Sequence, residues 1–124
     1  ELGIKLIAYS PLALGILTGK YGQNKPLPNG IRGLLFRQLL PKIQPLLDCV
    51  REIALSRHKT HSQVALNWCI CKGTLPIPGA KNVTQARENI GALGWSLSDG
   101  EITELDRIAA SLEKKMVQNI FQTR

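Results

Sequence analysis

The residues of this sequence best suited to chemistry are those that would hold an anion. Gly79-Ala80-Lys81 stands between a short apolar segment and Asn82, and Asn82 with Gln85 three positions on has the spacing of a helix start. The first amides of a helix have no partner within it, and the helix dipole is positive at that end. A lysine placed there adds full charge, and the combination suits a phosphate. Further bases gather early in the chain, where residues 1–41 carry five bases against one acid. The net charge of +7 therefore lies mainly in the first half, where it would draw a phosphate-bearing ligand.

Other chemistries find less support. Cys49, Cys69 and Cys71 cannot all pair within one chain, and two helical positions that differ by two point in different directions. With no CxxC and no His ligand set beside them, these cysteines read as reduced, mostly buried thiols rather than a metal site. No run of five or six bases occurs and the two Tyr, two Phe and two Trp are scattered, which argues against nucleic acid. The longest apolar runs are a few residues, far short of a membrane span.

The elements that must position the anion site follow from pattern. Ile4–Ala8 reads as a short apolar strand ending at Tyr9-Ser10-Pro11, because Pro11 lacks an amide hydrogen and restricts Ser10. Seven Gly and Pro residues between positions 15 and 33 predict a long irregular excursion, which is commonly functional. From about Pro41 to Arg57, Ile43, Leu46, Leu47, Val50, Ile53 and Ala54 form a helical stripe. Thr60 and Gln63 form a capping box for a second helix that Gly73 ends, and Thr74–Pro78 reads as a second strand segment. Asn82 starts a third helix closed by Gly91 and Gly94. Ser98 and Glu101 cap a fourth, with Ile102, Leu105, Ile108 and Leu112 at helical spacing. Two strands joined through helices suit parallel pairing, yet two strands leave both outer edges open. Glu1-Leu2-Gly3 resembles a helix end leading into a strand, with no initiator Met. The expectation is an α/β segment of a larger protein.

Two stretches carry a family resemblance. Gly3-Ile4-Lys5-Leu6-Ile7-Ala8-Tyr9-Ser10-Pro11-Leu12-Ala13-Leu14-Gly15-Ile16-Leu17-Thr18-Gly19-Lys20-Tyr21 is one, and Ile77-Pro78-Gly79-Ala80-Lys81-Asn82-Val83-Thr84-Gln85-Ala86-Arg87-Glu88-Asn89 is the other. Together they resemble the seventh and eighth strand-loop units of aldo-keto reductases, NAD(P)H-dependent enzymes built on a (β/α)8 TIM barrel. The resemblance covers essentially the whole chain. It implies that residues 1–124 are the C-terminal segment of one barrel domain, the last two strand-helix units plus a terminal helix, with residues 15–40 as a cofactor-side loop. Arg32–Arg37, Asn67–Gly73 and Gln118–Arg124 further resemble a plastid branch of the family that acts on pyridoxal, which implies a chloroplast location and reduction of that aldehyde to its alcohol.

The resemblance also implies roles. Tyr9 would stack on the nicotinamide ring of NADPH. Ser10, Leu12 and Gly15 would line the pyrophosphate path, Ser10 by its hydroxyl and Gly15 by admitting close backbone approach. Lys20 would reach the cofactor phosphates, and Arg32, or in its place Arg37, would do so from the far side of the excursion. At the second strand, Gly79 and Lys81 would receive the 2′-phosphate, Gln85 would face the adenosine phosphate, and Glu88 and Asn89 would hydrogen-bond the adenine and its ribose. The family's catalytic Tyr, Lys, Asp and His belong to earlier strands. Tyr9 is on the wrong strand for that acid, Asp48, Asp99 and Asp106 sit in helical contexts, and neither His58 nor His61 matches the catalytic His. The chain alone is thus expected to be inactive, its missing strands supplied from elsewhere. The alternative is a non-catalytic structural or interaction module that self-associates or pairs with a chain supplying those strands.

Overall fold

The computed structural model of the chain describes residues 6–9 and 29–122. Strand β1 (Leu6–Tyr9) and helices α1 (Ile31–Arg57) and α2 (His61–Cys71) precede strand β2 (Thr74–Ile77). Helices α3 (Val83–Ile90) and α4 (Asp99–Gln122) complete the order. The strands pair in parallel, with Leu6 opposite Thr74 and Tyr9 opposite Ile77. Parallel pairing requires a long crossover, here made of α1 and α2. Among the described residues this is an incomplete α/β fold of two strands and four helices, as part of a barrel would be.

Local sequence accounts for the helix boundaries. At α2, Thr60 Oγ1 accepts from Gln63 N at 3.2 Å and Gln63 Oε1 accepts from Thr60 N at 3.0 Å, a complete capping box. Ser98 and Glu101 repeat it at α4, at 3.2 and 2.8 Å. Asn82 caps α3 by accepting from Gln85 N at 2.8 Å. Thr74 ties the start of β2 back to α2 by donating to the Cys69 carbonyl at 2.7 Å.

The main departure from expectation is α1, which begins at Ile31 rather than near Pro41 and keeps Pro41 and Pro45 in its interior. Each proline removes an amide, so the carbonyls of Arg37 and Pro41 lose their helical donors. Arg37, Pro41 and Pro45 are all exposed, so those carbonyls stand on the solvent side, where the loss is least costly. Residues 31–40, the last part of the expected loop excursion, are therefore helical; residues 15–28 lie outside the described residues. The cysteines also differ, being half-buried rather than buried, all three free. Burial still pushes the Cys49 and Cys69 thiols up, which keeps them weakly nucleophilic.

The core lies between the helices. Leu46, Val50, Ile53 and Ala54 of α1 meet Val64 of α2, Leu97, and Leu105 and Leu112 of α4. Across it, Asp106 of α4 accepts from Trp68 Nε1 at 2.9 Å and from Lys72 Nζ at 2.8 Å. The Lys72 and Trp68 donors hold its carboxyl below the usual range. Arg57 and Glu101 join α1 to α4 through a two-pronged ion pair. No helix among the described residues is long and apolar enough to cross a membrane.

Candidate functional site

The parallel register brings the C-terminal ends of both strands to one end of the sheet. Tyr9 closes β1 directly beside Ile77, from which the chain turns through Pro78-Gly79-Ala80-Lys81 into α3. Two of the expected cofactor segments are thus neighbours along one strand-end edge. Ser10, Leu12, Gly15 and Lys20 lie outside the described residues, as do the side chains of Tyr9 and Arg32. Arg32 stands in the first turn of α1, and Arg37 is exposed one to two turns on.

The start of α3 offers donors and no competing acid. Its first turn holds no acidic residue. Gln85 N is satisfied by Asn82, whereas the amides of Val83 and Thr84 fall at the two positions ahead of it, where a helix offers no internal acceptor. Lys81 is exposed at the same point, and a Cβ built on Gly79 would meet nothing within 4 Å, so the turn is open in front. A phosphorylated dinucleotide fits this donor set by charge and by hydrogen bonding, which is the requirement that the cofactor reading places on these residues.

Gln85 and Asn89 brace the turn that precedes α3. Gln85 Oε1 accepts from Lys81 N at 2.7 Å, which fixes the backbone of the lysine and leaves the amide NH2 of Gln85 as its remaining donor. Asn89 Nδ2 donates to the Gly79 carbonyl at 3.2 Å, bracing the turn from the other side and leaving its Oδ1 as acceptor. Two separate bonds thus tie the turn to α3, Lys81 to Gln85 and Gly79 to Asn89. Glu88 is half-buried on the same short helix.

What holds α3 in place is not set by its own local sequence. The helix has no buried residue. It is tied instead to α2, where Gln63 Nε2 donates to the Glu88 carbonyl at 3.0 Å. Asn67, almost wholly buried, donates to the carbonyls of Ala92 and Trp95 at 2.9 and 2.8 Å and accepts from Leu97 N at 3.0 Å. The one signal for Asn67 was a polar residue within the apolar run Val64-Ala65-Leu66-Asn67-Trp68. Between α2, β2 and α3, an apolar cavity of about 640 Å³ is lined by Leu66, Ile70, Leu75, Pro78, Ile90 and Leu93. Its walls leave Leu75, Ile90 and Leu93 more than half exposed.

Comparison with known proteins agrees with the sequence resemblance. Residues 1–110 match the model of the aldo/keto reductase family. The chain is 60% identical over 124 residues to the chloroplastic pyridoxal reductase of Arabidopsis thaliana, covering all of this chain and 34% of that protein. It is 35% identical over 115 residues to an NADP(+) aldo-keto reductase of Schizosaccharomyces pombe, covering 85% of this chain and 33% of that one. Among solved structures it resembles the glycerol dehydrogenase of Gluconobacter oxydans, with a TM-score of 0.73 and 28% identity over 86% of this chain and 34% of the other. The chain spans about a third of the length of the curated relatives it matches. With the family model matched over most of its length, the chain belongs to the aldo-keto reductase family.

Proposed function

We propose that this chain is the C-terminal, cofactor-holding part of an NADPH-dependent aldo-keto reductase that reduces an aldehyde to an alcohol, with pyridoxal as the substrate. The observation that carries the reading is the strand register. It sets Tyr9 beside the turn that leads through Gly79 and Lys81 into the acid-free start of α3. A cofactor with a flat ring at one end and a phosphate-bearing adenosine at the other can span such an edge. When bound, NADPH supplies a hydride to the aldehyde carbon. The residues of this chain bind and orient it: Tyr9 walls the nicotinamide, while Ser10, Leu12, Gly15, Lys20 and Arg32 follow the phosphates. Gly79, Lys81 and Gln85 take the 2′-phosphate end, and Glu88 and Asn89 hold the adenosine. The proton donor comes from an earlier strand of the barrel. The likeness to the chloroplastic enzyme supports both the pyridoxal assignment and a plastid location.

The test is cofactor discrimination in the complete enzyme. Lys81→Ala removes one charge-assisted contact to the 2′-phosphate and is expected to weaken NADPH by about 10- to 100-fold while leaving NADH nearly unchanged. Equal weakening of the two dinucleotides in a binding titration would overturn the role given to Lys81. The second reading, an association module, is favoured by the exposed Leu75, Ile90 and Leu93 and by the strand edges left open among the described residues.

A further inference from the structure

We propose that Gln63, on the helix before β2 and outside the ligand-facing residues, is a positioning residue for the adenosine end of the site. The inference rests on the cofactor reading of α3 given above. Its basis is a shared amide. Gln63 Oε1 accepts from Thr60 N and completes the cap of α2, while Nε2 of the same side chain donates across to the Glu88 carbonyl at 3.0 Å. One residue thereby couples the start of α2 to the last turn of α3, the turn that carries Glu88 and Asn89.

Gly91 supplies an independent observation. Its backbone is helical, with φ −63, so glycine is not required there for conformation. A Cβ at this position would nonetheless stand 2.2 Å from Gln63 Nε2 and 3.0 Å from Gln63 Cδ. The glycine makes room for the amide. Because no residue of α3 is fully buried, the bond from Gln63 of α2 carries a large share of its placement. Moving the Gln63 amide therefore moves Glu88 and Asn89, and through Asn89 the carbonyl of Gly79.

The experiment uses the complete enzyme and two single variants that disturb the amide from opposite sides. Gln63→Glu keeps the acceptor for Thr60 N, so the α2 cap survives, but faces the Glu88 carbonyl with a carboxylate oxygen. Gly91→Ala pushes the same amide away from its place. Binding of NADPH and of 2′,5′-ADP is measured by titration, together with kcat at saturating NADPH and the melting temperature without ligand. For each variant both dissociation constants are expected to rise about 3- to 10-fold, the worth of one hydrogen bond. The turnover number at saturation is expected to hold, while the melting temperature falls by no more than the few degrees that one hydrogen bond is worth. A fall in melting temperature with unchanged affinity makes Gln63 merely structural and overturns the inference; should Gln63→Glu fail to fold, Gly91→Ala decides alone. Lys81→Ala serves as the reference. If it weakens 2′,5′-ADP and the other variants do not, the positioning role alone is lost. If it leaves 2′,5′-ADP unaffected, the cofactor reading falls and this inference with it.

Discussion

At the scale of single residues, Glu101 shows how much one carboxylate can link. It accepts from Ser98 N at the start of α4 and pairs with Arg57 at the end of α1. The Arg57 hydrogen bond, aided by Ser98, holds its carboxyl down at about 2. A carboxyl depressed in the folded state stabilises the fold above its unfolded pKa, and that contribution disappears as pH falls through the folded value. Between about pH 4.5 and 2, then, the fold loses this contribution. In Glu101→Gln the cap is retained but the acid-labile part is gone. The melting temperature of the variant should start lower at pH 7 and drop less over that interval; parallel curves for variant and parent would refute the link. Glu101 was legible in the sequence as a capping residue, because a cap depends only on local spacing. Its ion partner is 44 positions away in the chain and was not.

At the scale of elements, the caps of α2, α3 and α4, the parallel pairing and the turn after β2 were all legible. Each is set by residues within one turn of one another or by the length of the crossover. The start of α1 was not, since Pro41 reads as a first helical residue and only its exposure explains why the helix tolerates it within. The ties between α2 and α3 were equally hidden, because nothing in local spacing shows where the far side of a side chain ends. Asn67 makes this testable. Truncation in Asn67→Ala leaves the carbonyls of Ala92 and Trp95 and the amide of Leu97 without their partner. Each buried group left unpaired costs about 1–3 kcal/mol. A loss of about 2–4 kcal/mol in denaturant unfolding of the complete protein is expected. A loss under about 0.5 kcal/mol would show that the 91–97 segment is held by other means.

At the scale of the whole molecule, the strand edges left open among the described residues and the apolar cavity beside β2 say the same thing. Backbone groups at a strand edge need a partner, and the side chains of Leu75, Ile90 and Leu93 need cover. In a closed barrel, neighbouring strands and helices provide both. The 124-residue chain made alone is therefore expected to associate, and light scattering after size exclusion should give a mass well above 13.7 kDa. A well-folded monomer would contradict this. That the strands needed neighbours could be read from their number, but the site of exposure could not, since Leu75, Ile90 and Leu93 share a surface only after β2 and α3 have been folded together.

The absence of any buried residue in α3 has a consequence for how such a protein can change over generations. On the cofactor reading proposed above, the residues that face the phosphorylated end of the dinucleotide sit on, or just before, a helix that sinks no side chain fully into the hydrophobic interior. Substitutions at its outward positions can be tried without disturbing the interior, provided that Gly91 and the amide beside it are left alone. On that reading, inheritance can rewrite the preference for a cofactor separately from the instructions for folding.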